Sequence, residues 1–125
     1  MDKNLTFILE KAKKNTIVLA VALFGSYARG EPHRDIDICV FLKPGEYTQL
    51  EMTELRMSLM PLSEKYDVQI FQQLPLYIRK RILKEGKILY CGDENELYDI
   101  YFHTARDYTH FEHIYEGYLE AVAHG

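Results

Sequence analysis

Apolar positions along the chain follow two rhythms. Leu5, Ile8, Leu9 and Ala12 recur at helical spacing, and Lys11, Lys13 and Lys14 close that segment, where the helix dipole favours cations. Asn15 then releases the chain. Residues 17–24 form an unbroken aliphatic run suited to a strand buried on both faces, and residues 36–42 form a second strand that Pro44-Gly45 terminates. Residues 46–60 read as a helix presenting Leu50, Thr53, Met57 and Met60 on one side. "YDVQIF", residues 66–71, alternates as a third strand. Leu74-Pro75 opens a further helix that Gly86 caps, and "KILYC" supplies a fourth strand.

The pattern changes at Asp93, which stands with Glu96 in capping-box spacing. Leu97, Tyr101, Thr104, Tyr108, Phe111, Tyr115, Tyr118 and Val122 follow at alternating intervals of four and three. A helix of about thirty residues spans roughly 45 Å, more than the diameter of a domain this size. Part of its seam must therefore meet another surface, by bending back, by a break or through a partner, a second copy included. The pattern predicts one α/β domain of four short strands, residues 1–92, continued by a helical tail, residues 93–125.

Composition narrows the class. With 125 residues the chain suits one compact domain, and 47% hydrophobic content fits a globular protein. There is no apolar run of membrane-spanning length and no basic-then-apolar leader, so a cytoplasmic protein without a membrane role is expected. Cys39 and Cys91 lack CxxC spacing and read as core residues. A net charge of -4 disfavours a nucleic-acid partner.

The stretch "FGSYARGEPHRDIDICVF" carries the chemistry. Asp35 and Asp37, two apart on a strand, share a face with Cα atoms about 6.5–7 Å apart. Like charges this close need a cation, and hard oxygen donors suit Mg²⁺ or Mn²⁺. The preceding Gly25-Ser26 turn can cradle phosphate oxygens, with Arg29 and Arg34 adding positive charge. A phosphate cradle beside a metal-binding pair is the layout for nucleotidyl transfer with two metal ions. Asp67, the only acid in its apolar segment, is the candidate third carboxylate, placed to face the pair if the third strand neighbours the second. The run Arg79, Lys80, Arg81, Lys84 and Lys87 reads mainly as a solvated helix face and secondarily as an acceptor groove. His103, His110 and His113 have no acid or cysteine frame to make them a metal site.

This stretch resembles the GS…DxD signature of the polymerase-β-like nucleotidyltransferase superfamily, specifically its minimal MNT or MntA-type members. "YDVQIF" resembles the strand bearing the third acid, and "LPLYIRKRILKEGKILYC" the helix and strand that follow it, so the likeness covers most of residues 16–92. Eight residues separate Ser26 from Asp35, where the commonest minimal pattern has about ten. The resemblance implies a mixed sheet with flanking helices and Mg²⁺-dependent transfer of AMP from ATP. It makes Gly25, Ser26, Asp35, Asp37 and Asp67 the matching site positions. It also implies a HEPN ribonuclease toxin as partner, neutralised by adenylylation of a tyrosine. The alternatives are an antitoxin that only occludes its partner, or a transferase whose acceptor is a small molecule or an RNA end.

Overall fold

The computed structural model describes residues 2–31 and 35–124. Helix α1 (Lys3–Lys14) starts at Asp2, whose carboxylate accepts the Asn4 N–H, and ends at Asn15. Strand β1 (Val18–Phe24) runs into a four-residue helix, α2 (Gly25–Ala28), and strand β2 (Ile36–Leu42) follows. Helix α3 (Gln49–Leu59) crosses over to strand β3 (Tyr66–Ile70), and Phe71 already belongs to a short 3₁₀ turn. Helix α4 (Leu76–Glu85), strand β4 (Lys87–Cys91) and helix α5 (Glu94–His124) complete the chain.

The sheet has the order β3-β2-β1-β4. β1 is antiparallel to both β2 and β4, while β2 and β3 are parallel, so the sheet is mixed as expected. Its central strands are apolar on both sides because helices cover both. Ile8, Leu9 and Ala12 of α1 and Met52, Leu55 and Leu59 of α3 pack on the face carrying Val21, Ile38, Val40 and Val68. Ile82 of α4 and Leu97 of α5 close the opposite face over Leu19, Ala22, Cys39 and Phe41. Cys39 is fully buried, and burial pushes its thiol pKa up, which fits a core residue.

The expectations for α3 and for Gly86 change. Helix α3 begins later than residue 46, at the N-cap Thr48, whose hydroxyl accepts the Glu51 N–H at 3.0 Å. Its buried stripe is Met52, Leu55 and Leu59, while Leu50 and Met57 face solvent at 67% and 61% exposure. The expected stripe includes the polar Thr53, whereas Met52, Leu55 and Leu59 are apolar throughout, and it is this second stripe that meets the sheet. Gly86 does end α4, but in extended backbone rather than the left-handed turn of a glycine cap. Its lack of a side chain serves close approach instead, since a Cβ there would lie 2.6 Å from the Ile82 carbonyl oxygen.

Helix α5 is 31 residues long and unbroken, about 46 Å at 1.5 Å per residue. Asp93 Oδ1 accepts the Glu96 N–H at 3.1 Å, the expected cap. Leu97, Ile100, Tyr101 and Thr104 pack on the domain or lie buried, whereas Phe111, Tyr115, Tyr118 and Val122 are 49–62% exposed. The seam is thus covered by its own domain only in its first half. Among the described residues no helix is long and apolar enough to cross a membrane.

Candidate functional site

The site is built where β1 gives way to α2. Gly25 adopts φ +77°, a left-handed backbone conformation that side chains resist. Asp37 is the register partner of Phe24 in the β1–β2 ladder, which brings its carboxylate against the Gly25 backbone. A Cβ on Gly25 would collide with that carboxylate, so only glycine fits the junction. On the other side, Asp37 pairs with Asp67 in the parallel β2–β3 ladder. Adjacent strands thus place the turn and two acids side by side.

A cavity of about 450 Å³ opens over this junction, lined by Gly25, Ser26 and Arg29, by Asp37, Asp67 and Gln69, and by Leu74, Ile78 and Arg81. Asp35 does not line it. It faces an adjoining groove with Met60, Ser63, Glu64 and Tyr66, and Asp67 borders both spaces. A groove of about 460 Å³ beyond the far end of β2, between the β2–α3 loop and α5, contains none of these acids.

Asp37 is half-buried, and its pKa is raised, first by that burial and then by repulsion from Asp67 and Asp35, with Arg29 opposing. Asp67 is oriented by neighbours: Gln69 Nε2 lies 3.0 Å from both carboxylate oxygens, and Arg56 of α3 approaches at 3.5 Å. Arg56 is itself fixed by donating to the Val68 carbonyl oxygen at 2.6 Å. Arg29 lines the cavity, but its guanidinium is engaged by Glu31 and, at 2.8 Å, by Glu85 of α4. Arg34 lies outside the described residues.

The donor chemistry fits a hard divalent cation. Asp37 and Asp67 offer carboxylate oxygens only, in a place where the repulsion on Asp37 outweighs the relief from Arg29, and Gly25 leaves room for close approach. Among the described residues, however, no three histidine, cysteine or carboxylate groups are gathered at metal-binding geometry. Asp35 opens to the adjoining groove, and the Asp67 carboxylate is drawn toward Gln69 and Arg56. His103, His110 and His113 of α5 form no such group either.

Gln69, Arg56 and Arg81 carry no motif that marks them. Gln69 shares a strand face with Asp67 by simple alternation, a signal present in the sequence. Arg56 reaches β3 from the crossover helix, which only the tertiary fold reveals. Of the basic run, Arg79 is structural: it donates to the carbonyl oxygens of Leu74 and Gln72 and lies over the Phe71 ring. Lys80 lies over the Tyr108 ring.

Known proteins resemble this chain in sequence and fold. The family described as "Polymerase beta, Nucleotidyltransferase" matches residues 7–95. A curated relative from Methanocaldococcus jannaschii, named "Putative protein adenylyltransferase MJ1547", is 40% identical over 87 residues, which are 68% of this chain. The chain spans 65% of that relative's length. A crystal structure of a toxin-antitoxin with AMP-PNP superposes with TM-score 0.72 at 21% identity, covering 97% of this chain and 98% of that one. A Shewanella oneidensis complex of a tri-AMPylated HEPN toxin with its MNT antitoxin gives TM-score 0.69 at 21% identity, covering 95% of each chain. At that identity the two structures establish likeness of fold. The matched residues 7–95 enclose the glycine turn and all three acids, and the chain belongs to the polymerase beta nucleotidyltransferase family.

Proposed function

We propose that this protein is a Mg²⁺-dependent adenylyltransferase that acts as the antitoxin of a HEPN ribonuclease, moving AMP from ATP to a tyrosine of that partner. The observation that carries this reading is the register pairing of Asp37 with Asp67 beside a Gly25-Ser26 turn whose glycine admits no side chain. The relative named for protein adenylylation and the toxin-antitoxin complexes of the same fold support the choice of nucleotide and partner.

In the reaction the tyrosine oxygen bonds to the α-phosphorus of ATP, the bond to the bridging oxygen breaks, and pyrophosphate leaves. Asp67 takes the phenolic proton, held in place by Gln69 and Arg56. Gly25 and Ser26 receive phosphate oxygens with backbone N–H groups and the serine hydroxyl. Asp35, Asp37 and Asp67 would hold Mg²⁺, or Mn²⁺, as two ions whose chemistry is to neutralise polyphosphate charge and favour an ionised acceptor.

The test is incubation with Mg²⁺, labelled ATP and the HEPN protein encoded beside it. Label on a partner tyrosine, lost in Asp37→Asn and Asp67→Asn, is the expected result. A second reading, neutralisation by occlusion alone, has the exposed half of α5 in its favour. It is upheld instead if the same variants neutralise the partner fully and wild type transfers nothing. Acceptance by a small molecule or an RNA end leaves that exposed seam without a use, and would appear as label on neither protein.

A further inference from the structure

We infer that Arg81 of α4 is the cation that binds the polyphosphate of the nucleotide, and that Arg29, the arginine nearest the glycine turn, instead holds α4 in position. The inference rests on the nucleotidyltransferase reading above and assigns the phosphate contact within it.

The cavity over the acids has two arginines in its wall, Arg29 and Arg81. Their situations differ. Arg29 is committed to two carboxylates, Glu31 in its own loop and Glu85 in α4, 56 residues away. The pairs are solvent-exposed and modest one by one, but a guanidinium that turned to phosphate would give up two of them at once just as another anion arrived, so Arg29 gains less from the new pairing than Arg81 does. Arg81 is exposed and makes no hydrogen bond or ion pair among the described residues. A planar guanidinium with all its donors open is suited to phosphate oxygens, which it can grip in pairs.

Helical spacing explains the division of labour. Ile78, Arg81 and Glu85 are three and four apart on α4 and form one stripe. Ile78 and Arg81 line the acid cavity, and Glu85 at the end of the stripe meets Arg29. The other cations of α4 point elsewhere: Arg79 toward Gln72, Leu74 and Phe71, and Lys80 and Lys84 toward a groove with Tyr98 and Tyr101. The Arg29–Glu85 bridge thus ties the glycine turn to the helix that presents Arg81, making Arg29 a positioning residue.

The experiment measures binding to the full chain with Mg²⁺, using ATP, inorganic tripolyphosphate and adenosine as probes on wild type, Arg81→Gln, Arg81→Lys and Lys80→Gln. Arg81→Gln is expected to weaken ATP and tripolyphosphate by a similar factor, tenfold or more on the order of one charge-assisted contact. Adenosine binding should stay within about twofold, Arg81→Lys should recover part of the loss, and Lys80→Gln should match wild type. Unchanged ATP affinity in Arg81→Gln overturns the inference, as does a loss seen with adenosine but not with tripolyphosphate. An equal loss in Lys80→Gln also overturns it, since that result reflects general charge. Wild type that binds neither ATP nor tripolyphosphate overturns the nucleotidyltransferase reading itself.

Discussion

At Asp37 the folded chain holds a carboxylate that burial and two neighbouring acids push toward its protonated form. A carboxyl whose pKa is raised by folding supports stability below the ordinary carboxylate range, and that support is lost as the pH rises through the raised value. At neutral pH the ionised group therefore costs stability without a cation beside it. Asp37→Asn should raise the thermal midpoint of the metal-free protein by a few degrees at pH 7, and the gain should vanish toward the carboxylate range. Adding Mg²⁺ should raise the wild-type midpoint and leave the variant largely unmoved. Scanning fluorimetry across pH, with and without Mg²⁺, checks both. In the labelling assay the same substitution should cost about 10²–10³-fold in transfer, the scale on which removing one electrostatic contact to a transition state acts. A carboxylate held at a cost in stability, beside a glycine turn and a second acid, is the pattern expected where function is set against stability.

Among the elements, α3 separates what pattern reveals from what packing decides. Leu59 is 1% exposed and should cost about 2–4 kcal/mol when cut to alanine, whereas Leu50→Ala should stay within about 0.5 kcal/mol. Chemical denaturation of the two variants measures the difference. The strands and helices were readable because apolar runs and helical spacing are local properties. The face of α3 was not, since apolar residues stand on both sides of it, Leu50 and Met57 on one and Met52, Leu55 and Leu59 on the other. The same boundary runs through the site. Asp35 and Asp37 are legible from alternation and the turn before them, and Asp67 from its isolation in a β-prone segment. That Asp35 faces a different groove from Asp37, and that Arg29 is engaged by Glu85, depend on residues far along the chain. Arg81 was legible only as one member of a basic run, because its direction follows from how α4 lies on the sheet.

For the molecule as a whole, α5 divides into a half that completes the domain and a half whose rings face solvent. Tyr115 and Tyr118 are 51% and 62% exposed, so replacing both with glutamate should leave the thermal midpoint and ATP affinity unchanged. Association with the proposed HEPN partner should be lost, as co-purification of the two chains would reveal. Retained association would move the docking surface to the globular part. The parallel pairing of β2 with β3 has a consequence of another kind. Asp37 and Asp67 meet only after α3 has crossed over and β3 has docked, and β3 is an edge strand whose ladder is with β2 and whose back is covered by α3. Local opening of that edge would separate the two acids while β1, β2 and β4 stayed folded. During synthesis the glycine turn and Asp37 emerge well before Asp67, so a nascent or frayed copy has the turn and one acid without the carboxylate that faces it.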